Sequence, residues 1–364
     1  MFRKTLLSVA LLLGACLLPG RLWAADPSAA EVERLRQQIW ADIQVVTDSQ
    51  AKAPPARRAT GKALTALQLA ARAPAIEALW RIGAGEPRTP AGLAALTLVF
   101  QWGPGDLASQ AFRDLVTTRR DDDALATALE AGYAESLAPD KRARLNALVH
   151  DTKSRAVAGS GRYILAFETL SDPATGRSPA RQASARNQMR RVRDDYGDIP
   201  TTFLGGGEPP RLGRVAAAYL FKTERLSPGH SLPVMTARDL EGARVTSASL
   251  PRKTTLIVFW ATWCPPCVAS LPDLKALNAS ARDAGLQIVS ISADANAEAV
   301  KAFVQRQGMT WRQWITGPSG TVSPEWSNSD YPFYLLVSRS GVILATSQHL
   351  QDILARVKDA RQRQ

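Results

Sequence analysis

Leu256-Ile257-Val258-Phe259-Trp260-Ala261-Thr262-Trp263-Cys264-Pro265-Pro266-Cys267 is the stretch that decides how this chain is read. Its first five residues are apolar, with β-branched and aromatic side chains, as in a central strand buried on both faces. Beyond it, Val268, Leu271, Leu274 and Leu277 recur at helical spacing, so a helix begins close to Cys264. Cysteines at i and i+3 on a first helical turn can close a disulfide and reopen it. A helix N-terminus also carries partial positive charge, which favours a thiolate on Cys264. Cys264 is therefore expected to attack a substrate disulfide, and Cys267, one turn deeper, to resolve the mixed disulfide.

Leu286 to Ile291 reads as a second buried strand and Ala297 to Val304 as a helix. Phe333 to Val337 and Val342 to Ala345 flank the turn Ser338-Arg339-Ser340-Gly341, which makes a hairpin. A last helix carries Leu350, Ile353, Leu354 and Val357. The order β-α-β-α-β-β-α implies one parallel crossover before an antiparallel hairpin, in a mixed sheet covered on both faces.

On these residues the stretch Leu232 to Ala345 resembles the thioredoxin superfamily, in particular its periplasmic or membrane-tethered TlpA/ResA-type thiol–disulfide oxidoreductases. Leu232-Pro233, Asp239-Leu240-Glu241-Gly242, Phe259 through Cys267 and Leu271-Pro272 match that family's pattern. The resemblance covers roughly the last 130 residues. It implies a thioredoxin-like α/β domain in which Cys264 is the attacking thiol and Cys267 the resolving thiol. It further implies that Pro332, in Tyr331-Pro332-Phe333, is a cis-proline whose preceding residue pairs with an extended substrate, and that Trp263 flanks the thiol. Two acids usual in such proteins are absent: Ser270 stands where the TlpA/ResA type has Glu, and Val258 where related thioredoxins bury Asp.

The chain holds three cysteines. Cys16 lies in the N-terminal segment, so Cys264 and Cys267 are the pair left for chemistry, and one close pair does not make a disulfide-stapled scaffold. Half of a zinc site would need two further ligands, and His349 is alone, so no metal and no cofactor are expected. A permanent disulfide closing so small a loop would add little stability.

Arg3 and Lys4 precede an apolar run from Thr5 to Ala15, too short to span a bilayer comfortably and suited to an export signal. Leu22-Trp23-Ala24 before Ala25 fits signal-peptidase cleavage; Leu13-Gly14-Ala15-Cys16 fits lipidation at Cys16. Both routes stay open.

From residue 25 to 226 the chain is rich in Ala, Leu and Arg and helical in period. Val32, Leu35, Ile39, Ile43 and Val46 share one face, and further helical stretches lie at 56–72, 74–83, 90–102, 105–120, 122–136 and 139–150. Residues 171–180 and 197–210 read as loops. His150 and His230 are isolated, and nothing in this half has catalytic spacing. The organisation expected is a signal segment over 1–24, a mainly α-helical domain over 25–226, a linker at 227–231 and the thioredoxin-like domain over 232–364.

Formal net charge is +12, with 45 basic against 33 acidic residues. The excess is spread along the chain and not gathered as a nucleic-acid footprint would be. One local run, Arg177, Arg181, Arg186, Arg190, Arg191 and Arg193, suits an acidic partner, lipid headgroups or a solvated helix face. The function expected is reduction of selected protein disulfides outside the cytoplasm, at the periplasm or the outer face of the membrane. Re-reduction would come from a membrane electron donor, and the N-terminus offers a tether. Cytochrome c maturation is one of several client pathways that fit. The alternatives are an oxidase or isomerase of exported proteins, and a partner-binding protein built on a thioredoxin scaffold.

Overall fold

The computed structural model describes residues 27–52, 59, 62–132, 138–171, 178–203, 211–281, 285–294, 296–316 and 331–362. The chain divides into two compact units at Gly213/Arg214. The signal segment with both processing sites lies outside the described residues, as do Arg177 and most of the two long loops. No helix among the described residues is long and apolar enough to cross a membrane.

The first unit is helical: α1 Pro27–Lys52, α2 Lys62–Gly85, α3 Pro90–Trp102, α4 Gly105–Thr118, α5 Ala124–Gly132, α6 Pro139–Asp151, α7 Arg155–Ser171 and α8 Pro179–Asp195. Val32, Leu35 and Ile39 of α1 are buried and Ile43 packs against the same core, while Val45, which lies off that face, is exposed. α3 is the central element, with every residue from Ala91 to Phe100 buried. Its start is set by Thr89, whose hydroxyl accepts from the Gly92 N–H at 3.0 Å, and by Pro90 in the first turn. Gly92 has no substitute there, because a Cβ would lie 1.8 Å from the Glu86 carbonyl oxygen.

α2 departs from expectation. The period predicts two stretches, 56–72 and 74–83, yet one helix joins them with Pro74 inside it. Pro74 supplies no N–H for the preceding turn, but Ala75, Ile76 and Leu79 just beyond it are buried, and their packing keeps the helix whole.

α9, Leu212–Arg225, crosses the division between the units. In the second unit, Phe221 and Leu226 join an apolar cluster with Ile257, Phe259, Phe333 and Leu335, so the helix end belongs to the sheet's packing. This moves the boundary from the anticipated residue 226 back to 213. Nor are residues 227–231 a free linker. Gly229 N–H donates to the Ile343 carbonyl at 2.8 Å, Ile343 N–H to the His230 carbonyl at 2.9 Å, and Ser231 bridges to Val342.

The second unit is built on a seven-stranded sheet in the order β2-β1-β5-β4-β3-β6-β7. The strands are β1 Thr236–Asp239, β2 Arg244–Thr246, β3 Thr254–Trp260, β4 Leu286–Ser292, β5 Arg312–Ile315, β6 Phe333–Val337 and β7 Ile343–Ser347. β3, β4 and β5 run parallel, and the other pairings are antiparallel. Side chains alternate between faces as a strand demands. Leu256, Val258, Trp260, Tyr334 and Leu336 join one cluster; Ile257, Phe259, Phe333 and Leu335 join the other. The first face is covered by α10 Pro265–Ala269, α11 Leu271–Ala281, α12 Ala297–Gln307 and α13 Leu350–Gln362.

Three strands were not anticipated. β1, β2 and β5 span four, three and four residues and carry polar side chains, too short to show a period. The Asp239 to Gly242 turn joins the first two: Asp239 Oδ1 accepts from the Glu241 and Ala243 N–H groups, and Gly242 takes φ +86°.

Candidate active site

β3 ends at Trp260, and the next seven residues form the site. Ala293 N–H donates to the Trp260 carbonyl at 2.9 Å, fixing the end of β3 against β4. Cys264 N–H then reaches back to the Ala261 carbonyl at 3.2 Å, which turns the chain into α10. Cys264 is the N-cap of that helix, with Pro265 and Pro266 following and Cys267 the first residue after them to have an N–H. The helix expected to run from Cys264 past Leu277 is interrupted at Ser270. Pro272 cannot donate to the Val268 carbonyl, so the regular ladder stops and restarts as α11.

Cys264 and Cys267 are joined in a disulfide with a Cα–Cα separation of 5.3 Å. Both are buried, at 4% and 2% exposure. Among the described residues, Cys264 Sγ accepts one hydrogen bond, from the Cys267 N–H at 3.3 Å. Trp263 stands exposed beside the pair and meets Tyr331 edge-on, with ring centroids 5.8 Å apart. The Tyr331–Pro332 peptide bond is cis, and Pro332 is buried at the head of β6. The structure thus brings Trp263 and Tyr331 together at the disulfide's flank. It does not bring any histidine into the site, and the described residues hold no cluster suited to a metal ion.

The positions of the absent acids have other occupants. Val258 is a buried core residue. Ser270 donates its hydroxyl to the Cys267 carbonyl at 2.7 Å, closing the first turn of the helix. Tyr334, two residues beyond the cis-proline, is fully buried on the same sheet face as Val258. Burial holds its phenol above the usual tyrosine range; Ser270 lowers it and the Asp273 charge raises it.

One residue of consequence escaped the sequence reading. Asp294, just past β4, is buried at 5% exposure. Its carboxylate accepts from the Thr262 N–H at 2.9 Å, the Thr262 hydroxyl at 2.6 Å and the Ser292 hydroxyl at 2.7 Å. It thereby clamps the turn two residues before Cys264. The available signal was Ser292-Ala293-Asp294 at the carboxyl end of a buried strand, where open α/β sheets build their sites.

Residues 227–361 match the Redoxin family. The thiol-disulfide oxidoreductase ResA of Bacillus thuringiensis subsp. konkukian is 25% identical over 145 residues, spanning 38% of this chain and 83% of that protein. The thioredoxin-like protein YneN of Bacillus subtilis is 26% identical over 128 residues, or 34% of this chain and 74% of that one. Among solved structures, a thiol-disulfide oxidoreductase from Bacteroides fragilis is 24% identical and covers 36% of this chain and 98% of its own, with a TM-score of 0.33. The C-terminal domain is thus a thioredoxin-like Redoxin domain, and its chemistry is thiol–disulfide exchange.

Proposed function

We propose that this thiol–disulfide oxidoreductase works outside the cytoplasm as a reductase of selected protein disulfides. The observation that carries the reading is the hydrogen bonding of Cys264 Sγ, which accepts only from the Cys267 N–H among the described residues. Pro265 and Pro266 occupy the two intervening positions and have no N–H to offer. A thiolate with few donors keeps a higher pKa, so the reduced form gains little relative to the disulfide. The couple then gives electrons away.

In the reduced protein Cys264 attacks a client disulfide as a thiolate. One client sulfur leaves as thiolate and takes a proton from water, and the other stays joined to Cys264. Cys267 then loses its proton and attacks Cys264 Sγ, which forms the observed disulfide and releases the second client sulfur. Trp263 and Tyr331 form the surface on which an extended client segment lies, and the buried cis-Pro332 sets the Tyr331 backbone that pairs with it. A membrane-bound dithiol returns two electrons to the pair, and the N-terminal segment directs export, with Ala25 or a lipidated Cys16 as the first residue of the mature chain.

Paired assays test the direction. The protein should accelerate reduction of insulin disulfides by dithiothreitol and should not accelerate oxidation of a reduced, unfolded ribonuclease. Faster oxidation than reduction would overturn the reading in favour of an oxidase. No turnover in either assay would leave a binding scaffold.

A further inference from the structure

Tyr334 is fully buried, yet among the described residues its hydroxyl makes no hydrogen bond of ordinary geometry, although the Ser270 hydroxyl lies alongside. Burying a hydroxyl unpaired is costly, because the group gives up its hydrogen bonds to water and gains none. Phenylalanine would fill the same space without that cost, so the hydroxyl points to a partner present in another state of the protein. Its position indicates which state. Tyr334 lies opposite Val258 in the β3–β6 register, the place where related thioredoxins bury an acid. It shares one packed cluster with Cys264, Cys267, Leu271 and Leu274. Ser270 lies alongside the phenol, and its hydroxyl is already engaged with the Cys267 carbonyl. The charged group acting on the phenol from α11 is Asp273, whose carboxylate accepts from the Gln351 amide of α13 at 2.9 Å. β3 presents apolar Leu256, Val258 and Trp260 on this face, and α12 presents Val300 and Val304.

In the disulfide both sulfurs are consumed. Reduction creates a thiol at Cys267, inside the same cluster as the unpaired phenol. We propose that Tyr334, with Ser270, is the hydrogen-bond partner of the reduced Cys267 and replaces the missing buried acid as the carrier of its proton. The proposal rests on the assignment of Cys267 as resolving thiol.

During resolution the Cys267 S–H bond breaks as its sulfur attacks Cys264 Sγ. The Cys264–Cys267 bond forms, the Cys264–client bond breaks, and the electron pair leaves on the client sulfur, which is protonated by water. The Cys267 proton passes to the Tyr334 oxygen while the phenol's own proton passes to the Ser270 hydroxyl and out to water. Tyr334 ends the step unchanged. Its burial keeps the phenol neutral, so it relays a proton and does not act as a standing base.

The test uses the reduced full-length protein and an aromatic disulfide reagent that releases a coloured thiol twice, first on attack by Cys264 and then on resolution by Cys267. Tyr334→Phe should leave the first phase at the parental rate, slow the second about 10- to 100-fold and move its pH midpoint upward. Ser270→Ala should slow the second phase less. A second phase in Tyr334→Phe with the parental rate and midpoint overturns the proposal. So does equal slowing of both phases, which would mark a packing defect. A second phase that survives in Cys267→Ala would instead refute the thiol assignment, and so the two failures are distinguishable.

Discussion

Each unit of this protein buries a carboxylate that ties a loop to a regular element, and the two carboxylates serve different ends. In the helical unit Glu130 of α5 accepts from the Ser160 hydroxyl at 2.6 Å, the Thr202 N–H at 2.7 Å and the Thr202 hydroxyl at 2.8 Å. In the redox unit Asp294 holds Thr262 in the same manner. Glu130 joins α5, α7 and residues 201–202, and no reactive group lies on those segments. Asp294 joins the end of β4 to the turn that presents Cys264. The same device is architecture in one unit and site-building in the other, and only its neighbours tell them apart.

The sharpest way to break this contrast is at the sulfurs. Cys264→Ala and Cys267→Ala should each abolish turnover and leave the melting of the helical unit unchanged. On non-reducing gels Cys267→Ala should accumulate mixed disulfides with client proteins, whereas Cys264→Ala should trap none. Equal trapping by both variants would contradict the assigned roles.

The next effect lies at the two carboxylates. Asp294→Ala leaves the Thr262 N–H and hydroxyl without their acceptor. It should destabilise the redox unit by about 3 kcal/mol and lower turnover about tenfold or more. Glu130→Ala should destabilise the helical unit by a similar amount with turnover unchanged at a temperature where both units stay folded. Urea unfolding together with the insulin assay checks both. Lost turnover in Glu130→Ala would show that the helical unit takes part in the chemistry.

The sequence revealed these regions unequally, for physical reasons. β3, the Cys-Pro-Pro-Cys turn and the β6–β7 hairpin were legible because a fully buried strand, a pair of cysteines and a glycine turn each leave a local signature. β1, β2 and β5 were not, since a strand of three or four residues draws its stability from its neighbours. The two stretches 56–72 and 74–83 proved to join in one helix because local propensity at Pro74 gave way to the burial of Ile76 and Leu79. Asp294 and Tyr334 were overlooked because their importance lies in partners distant in sequence, Thr262 and the Val258–Ser270 neighbourhood. α1 and α3 to α6 could be read from their period, whereas α7 and α9 were not singled out, and helical period says nothing about a ligand.

A smaller effect concerns pH. Burial raises the Glu130 carboxyl, and the donors from Ser160 and Thr202 only partly offset this. A raised folded pKa favours the protonated form in the fold. Its contribution to stability is therefore complete below the ordinary carboxylate pKa and is lost as pH climbs through the raised value. The urea midpoint of the helical unit should fall over that range, and Glu130→Ala should flatten the dependence. A midpoint that rises with pH over the same range would contradict the burial argument.

On the proposed reading, Pro265 and Pro266 leave Cys264 Sγ with the Cys267 N–H as its donor, which makes the Cys264–Cys267 couple reducing. Equilibrating the protein with glutathione buffers of known ratio measures this directly. The potential should lie nearer the roughly −270 mV of thioredoxin than the roughly −120 mV of a strong periplasmic oxidant, and a value above about −150 mV would contradict a reducing couple.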